Sequence, residues 1–152
     1  DITYIRKREK FMYLCLITDM YSRKIVGYHL GESLDTEETL KALKMALKNK
    51  PKDDHPIHHS DRGCQYCSHE YVEVLEKNGL GVSMTEQNHC SENALAERVN
   101  GILKQEYGLG YRFKNAMHVR QAVKQAVWLY NTRRPHSSLG LETPEHIHRM
   151  AA

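Results

Sequence analysis

The sequence predicts an α/β domain whose mixed sheet is covered by helices on both faces. Three observations lead there: three strand-like segments at the start, short strands alternating with amphipathic helices in the middle, and a C-terminal third that is helical throughout. At 152 residues and 17.7 kDa the chain has the size of one ordinary domain and can bury a real core without disulfide or metal staples.

Asp1–Ile5 alternates in strand fashion, Phe11–Asp19 is almost continuously apolar, and Lys24–Leu30 is β-branched and aromatic. Short polar turns between them predict an antiparallel meander. Asp35-Thr36-Glu37-Glu38 offers an N-cap with a glutamate three residues on, and Leu40, Leu43 and Leu47 then recur at helical spacing while Lys41, Lys44 and Lys48 point elsewhere. Pro51 and Pro56 bracket a polar linker, after which Ile57–Ser60 reads as a short strand ending at Asp61. Ser68 caps a helix carrying Tyr71, Val72 and Leu75 that Gly79 closes, and Val82–Thr85 is the last strand.

From about Asn93 to Tyr107 the chain reads as a helix with Leu95, Val99 and Ile102 on its packed side. Asn93, Glu97, Asn100, Gly101 and Lys104 fall on the opposite side, which is left for chemistry. Asn115 caps a helix striped by Val119, Ala122, Val123, Ala126, Val127 and Tyr130, and Thr143-Pro144-Glu145 starts a short final one. No internal repeat or low-complexity segment interrupts this order.

Composition excludes several classes. No apolar run approaches the ~20 residues of a membrane-spanning helix, no signal-peptide pattern opens the chain, and four irregularly spaced cysteines do not make a secreted disulfide framework. A reducing cytoplasm is the expected compartment. Charge is uneven: residues 1–97 carry 13 Lys/Arg against 16 Asp/Glu, and residues 98–152 carry 9 against 3. A basic third beside an acidic remainder suits a protein that grips a polyanion near a carboxylate site, although such asymmetry is also found on merely solvated faces.

Divalent ions such as Mg²⁺ take hard oxygen ligands from a few carboxylates and leave positions for water and phosphate oxygens. A phosphoryl-transfer site therefore needs acids from separate elements. The candidates are Asp1 on the first strand, Asp61 at the end of the fourth, and Glu97 on the helix after the fifth.

DITYI, HHSDRGCQY, LAERVNGILKQEY and YNTRRPHSSLGLETP together resemble the transposases of insertion-sequence family 3, four blocks in order over nearly the whole chain. The resemblance implies a ribonuclease-H-like fold of the retroviral-integrase kind: a five-stranded mixed sheet, three strands antiparallel and two parallel. It identifies Asp1, Asp61 and Glu97 as the catalytic, metal-binding triad of a DDE transposase or integrase. It implies two Mg²⁺ or Mn²⁺ ions with DNA bound, roughly 3.5–4 Å apart, for in-line cleavage and joining without a covalent protein intermediate. It also implies that Asn100 and Lys104 contact DNA, that partners are element ends, target DNA and further copies of the chain, and that the bacterial protein joins the nucleoid when bound. The family's upstream helix-turn-helix, and the tryptophan three residues before the first aspartate, fall outside this sequence. Residues 1–152 are thus expected to be a catalytic core taken from a longer protein.

Each residue also has a plainer reading. Asp61 could be a strand-end turn residue and Glu97 an exposed helix residue. Asp19 rivals Asp1 as the first acid, but it precedes Tyr21-Ser22-Arg23 and reads as part of a turn. Lys104, Arg133 and Arg134 are phosphate contacts or simply solvated cations. In the C-terminal block, Pro135, Gly140 and Pro144 read as a structural clasp. Cys64 and Cys67 have the spacing of half a zinc site, with His69, His89 and Cys90 as further candidates, yet a second paired motif is missing. His55, His58 and His59 lie on alternating faces of a strand and cannot easily share one metal. Two other functions stay open: a catalytically silent nucleic-acid-binding remnant of a transposase, and a ribonuclease-H-like nuclease.

Overall fold

Strand β1 (Ile2–Lys7) turns at Arg8 and Glu9 into β2 (Lys10–Thr18), antiparallel with Lys7 opposite Lys10, and β3 (Ile25–Gly31) pairs antiparallel with the other edge of β2. The computed structural model describes residues 1–51, 53–85 and 93–151. After β3 come α1 (Thr36–Lys48), β4 (Ile57–Ser60), α2 (His69–Lys77) and β5 (Gly81–Met84), then α3 (Ala94–Gln105), α4 (Ala116–Thr132), a 3₁₀ turn at Ser137–Leu139, and α5 (Pro144–Ala151). None of the described helices is long and apolar enough to cross a membrane.

The element order is the expected one, with one correction to the sheet. The strands form a three-stranded antiparallel sheet, β1-β2-β3, and a separate parallel pair, β4-β5, rather than one continuous five-stranded sheet. β4 has only four residues, and all four pair with β5; no ladder joins it to β1 among the described residues.

Two apolar clusters cover the two faces of the larger sheet. Ile5, Met12, Leu14, Leu16, Ile25 and Leu30 pack with Val99, Ile102 and Leu103 of α3 and with the Val119–Tyr130 stripe of α4. On the other face, Ile2 and Ile17 pack with Leu40 and Leu43 of α1, Tyr71 and Leu75 of α2, and Tyr66. The alternation of strand side chains is what feeds both clusters from one sheet. Helix α1 sits directly on β3: a Cβ at Gly27 would lie 2.3 Å from the backbone oxygen of Ala42, so only glycine permits this approach.

Caps follow the sequence except at α1. The side chains of Ser68, Asn115 and Thr143 accept from Tyr71, His118 and His146 N–H. Asp35 caps α1 by position only, because its carboxylate accepts from Ser33 Oγ at 2.6 Å, while Glu38 is drawn to His29 and Lys41. Asp19 is the expected turn residue, accepting from Ser22 and Tyr21, with His148 of α5 alongside. Partial burial pushes its carboxyl upward, but these hydrogen bonds outweigh that and hold it below the ordinary range.

The C-terminal block is the clasp that Pro135, Gly140 and Pro144 suggest: Gly140 is left-handed and Pro144 is buried at the start of α5. Its firmest grip lies just upstream. Asn131 is buried, its Oδ1 accepts from Ile25 N–H at 2.9 Å, and its Nδ2 donates to Ile25 C=O at 3.0 Å. Both backbone groups of Ile25 lie at the edge of β3, where ladder partners are lacking on one side. Asn131→Ala is expected to leave both without a partner and to cost about 2–4 kcal/mol in urea unfolding, and Asn131→Asp to cost at least as much at neutral pH, because it sets a buried carboxylate oxygen against Ile25 C=O.

Candidate active site

Asp1 and Asp61 arrive at one cleft from different sheets. Together with Ile2, Tyr4, Leu34, Gly63, Gln65 and Tyr66 they line a cavity of about 160 Å³. Asp1 is placed by β2: its backbone amino group donates to Leu16 C=O at 3.0 Å and its C=O accepts from Leu16 N–H at 2.9 Å.

Asp61 leaves the end of β4 in a loop tied down on several sides. Gly63 N–H donates to Asp61 Oδ1 at 2.9 Å, Arg62 Nε donates to Thr85 C=O at 2.6 Å beyond β5, and Gln65 Nε2 donates to Leu34 C=O at 2.8 Å before α1. A Cβ at Gly63 would sit 3.0 Å from Asp61 Oδ1 and 3.2 Å from Gln65 Oε1, so a side chain there would press on both. Beneath the loop, buried Tyr66 meets Cys15 Sγ and stacks edge-on with Tyr71, while His58 of β4 reaches the Tyr71 hydroxyl. Burial pushes the Tyr66 and Tyr71 hydroxyls and the Cys15 thiol upward, so this floor stays uncharged.

Helix α3 reaches the cleft through Asn100. It is 9% exposed, and its Nδ2 donates to Asp1 Oδ2 at 2.5 Å, although the sequence placed Asn100 on a free, DNA-contacting face. The helix rolls inward enough to bury it, because a polar partner waits there. Glu97, one turn earlier, is exposed and is not a lining residue of the cleft. Among the described residues no three acidic, histidine or cysteine side chains converge to hold a metal, so the structure unites Asp1 with Asp61 and leaves Glu97 apart.

The donor chemistry nonetheless suits a hard divalent cation. One oxygen of each aspartate is held by a donor, while Asp1 Oδ1 and Asp61 Oδ2 accept no hydrogen bond among the described residues. Asn100 Oδ1 is buried and has no partner there either. Two aspartates that line one cleft, each with an oxygen that lacks a donor among the described residues, and an unpartnered Asn100 Oδ1 on the residue bonded to Asp1 are groups that a cation would satisfy.

The other expected residues divide. Lys104 is half-buried and Arg133 is exposed, its guanidinium 5.5 Å from the Trp128 ring centroid. Arg134 is engaged: Nε and Nη2 donate to Glu106 at 2.7 and 2.8 Å. This pairing holds the Glu106 carboxyl below its usual range. Cys64 and Cys67 are exposed, and Cys67 Sγ points to Met84 Sδ at 3.6 Å. His55 and His59 bond Gly79 C=O and Ser83 Oγ. His89 and Cys90 lie outside the described residues. Sequence reasoning missed Asn100 as the partner of Asp1; its place three residues after Glu97 was the only available signal.

Three antiparallel strands, a parallel pair and flanking helices, with two aspartates meeting at the strand ends, define the class: a ribonuclease-H-like core of the retroviral-integrase kind. Solved structures share it. The HTLV-2 integrase catalytic core domain in complex with magnesium (trimeric form) superposes with a TM-score of 0.75 at 21% identity, covering 97% of this chain and 92% of that one. A chain of the simian T-cell lymphotropic virus intasome does so with a TM-score of 0.80 at 18% identity, covering 97% and 52%. Two family models described as Integrase core domain match residues 1–90 and 78–144, and the chain belongs to this integrase core family. It is 40% identical, over its whole length, to the Insertion element IS600 uncharacterized 31 kDa protein of Shigella sonnei, covering 58% of that protein. It is 34% identical over 95% of its length to Transposase InsF for insertion sequence IS3A of Escherichia coli K12, covering 51% of that protein. The chain thus spans little more than half the length of the curated relatives it matches.

His58 gives the site a pH limit. Burial, with added repulsion from His59, lowers its pKa to about 4. A depressed folded pKa means that stability is fully present above the ordinary value of about 6.5 and is lost as pH falls toward 4. The unfolding free energy from urea melts is expected to drop over that window by about 1–2 kcal/mol, the full linkage value being reduced because His58 keeps some solvent access. His58→Gln should flatten the profile.

Proposed function

We propose that this chain is the catalytic core of a transposase that cuts DNA strands and joins 3′-hydroxyl ends to target phosphodiesters. The observation that carries the reading is the Asp1–Asp61 cleft, which two sequence-distant carboxylates line together, each with one oxygen that accepts no hydrogen bond among the described residues. The family and its insertion-sequence relatives support it.

Asp1, Asp61 and Glu97 would hold Mg²⁺ or Mn²⁺, two ions once DNA is bound, which supplies the Lewis acidity that phosphodiester displacement needs. The chain's own residues prepare the site. Asn100 fixes the rotamer of Asp1, Gly63 N–H fixes that of Asp61, and the neutral Tyr66 floor excludes water below them. Glu97 joins when the first turn of α3 closes over bound DNA. Lys104 and Arg133 contact phosphates, which position the strand without reading its sequence. Partners are DNA ends, target DNA and further copies of the chain in a bacterial cytoplasm. The separation of Glu97 from the cleft favours a second reading, a DNA-binding core without catalysis, and the same experiment decides between them.

A branched DNA presenting a 3′-hydroxyl beside a phosphodiester tests the joining step without end recognition. With Mn²⁺ the chain is expected to rejoin it, and Asp61→Asn or Glu97→Gln to lower the rate by more than about a thousandfold with unchanged melting. Failure of the wild-type chain to act, or full activity in either variant, would reject the assignment. Asn100→Ala should slow joining by about 10–100-fold, as expected for a residue that orients a ligand rather than being one.

A further inference from the structure

The flank of α3 turned away from Glu97 and Asn100 borders a second cavity, of about 610 Å³, that shares no lining residue with the aspartate cleft. Leu95 of α3 and the exposed Leu141 supply its apolar surface, with the core residues Val99 and Ile102 behind them, and the chain leaving α4 closes it with Arg134 and His136. Arg23, from the turn before β3, and Arg98 add two more guanidinium groups, and no carboxylate lines the cavity among the described residues. Glu106, the partner of Arg134, is not in the lining.

His136 makes this more than a basic surface. It is only 8% exposed, and its Nε2 is buried without a hydrogen-bond partner among the described residues. A buried imidazole nitrogen without a partner costs stability and calls for an explanation. Burial, and then the charge of Arg134, lower its pKa and favour the neutral ring, in which Nε2 can carry the N–H. An oxyanion is the acceptor that an N–H among arginines would take.

An oxyanion alone does not account for the space. The cavity is roughly twenty times the ~30 Å³ of one water, within the range of small-molecule sites, and its apolar wall has nothing to offer a bare phosphate. The geometry points to a pocket for one nucleotide of an unpaired DNA strand, with its phosphate on Arg23, Arg98 and His136 Nε2 and its base between Leu95 and Leu141. A base in a duplex is stacked and cannot enter, so the pocket selects frayed or single-stranded DNA. This rests on DNA being the substrate, as proposed above, but requires neither metal nor catalysis.

The test is a titration of the chain in EDTA with dTMP, thymidine and inorganic phosphate, followed by the ¹⁵N resonance of His136 Nε2. dTMP is expected to shift it saturably and to bind about tenfold more tightly than either fragment. Arg98→Ala should weaken dTMP about fivefold or more, whereas Arg120→Ala, a cation removed from α4 outside the cavity, should not. A duplex with a three-nucleotide single-stranded extension should bind more tightly than a blunt one, and Arg98→Ala should erase the difference. Phosphate binding as tightly as dTMP would overturn the proposal in favour of a bare anion site. A glutamate-rich peptide that moves His136 where dTMP does not would overturn it in favour of a protein partner. If dTMP fails while branched DNA is still rejoined, only the pocket falls; if the wild-type chain neither binds nor joins DNA, the underlying reading falls with it.

Discussion

The hydrogen bond from Asn100 to Asp1 joins residues 99 apart, and the geometry of the candidate site depends on it. Hydrogen bonds to a charged partner contribute about 1.5–3 kcal/mol, more than most neutral ones. Here the bond also sets the roll of α3 about its axis, because burying Asn100 against a strand end leaves only one rotation that still packs Val99, Ile102 and Leu103. Glu97 then takes its place one turn ahead of Asn100 as a consequence of helical geometry. Asp1 can serve as the anchor because its backbone is held at both ends by Leu16.

Opposite that anchor, the basic C-terminal third ties α4 to the start of β3 and the chain after α4 to the end of α3. Tyr130 donates to Arg23 C=O, Asn131 takes both backbone groups of Ile25, and Arg134 clamps Glu106 just past the end of α3. Burial pushes the Tyr130 hydroxyl up to about 12, so it remains a donor throughout the working pH range. What composition registers as a charged tail is therefore divided between structural clamps and exposed cations. Only the second group can serve a polyanion.

Much of this was legible in sequence because it rests on local periodicity. The three leading strands, the capping serine and asparagine of α2 and α4, the α4 stripe and the turn role of Asp19 all follow from spacing of two or 3.6 residues and from turn chemistry. Asp1 and Asp61 were legible as acids on separate strands, and the structure brings them to one cleft. What failed was long-range. The inward turn of Asn100, the Arg134–Glu106 pair across 28 residues, and the division of the strands into two sheets each depend on which partner lies across space, and no window of sequence contains that. Asp35 shows the same limit at short range: the right residue stands at the cap, but a neighbouring serine competes for its carboxylate.

Gly27 has a mechanical consequence. Where a helix rests on side chains, rotamer changes can absorb a small displacement; where it rests on strand backbone, nothing lies between to yield. The approach of Ala42 to Gly27 makes α1 and β3 a single stiff plate, extended to β2 by its ladder and reinforced by Glu38 against His29. Any rearrangement that brings a third acid to the aspartates must then come from α3 and the Asp61 loop, with the plate as the fixed ground against which they move.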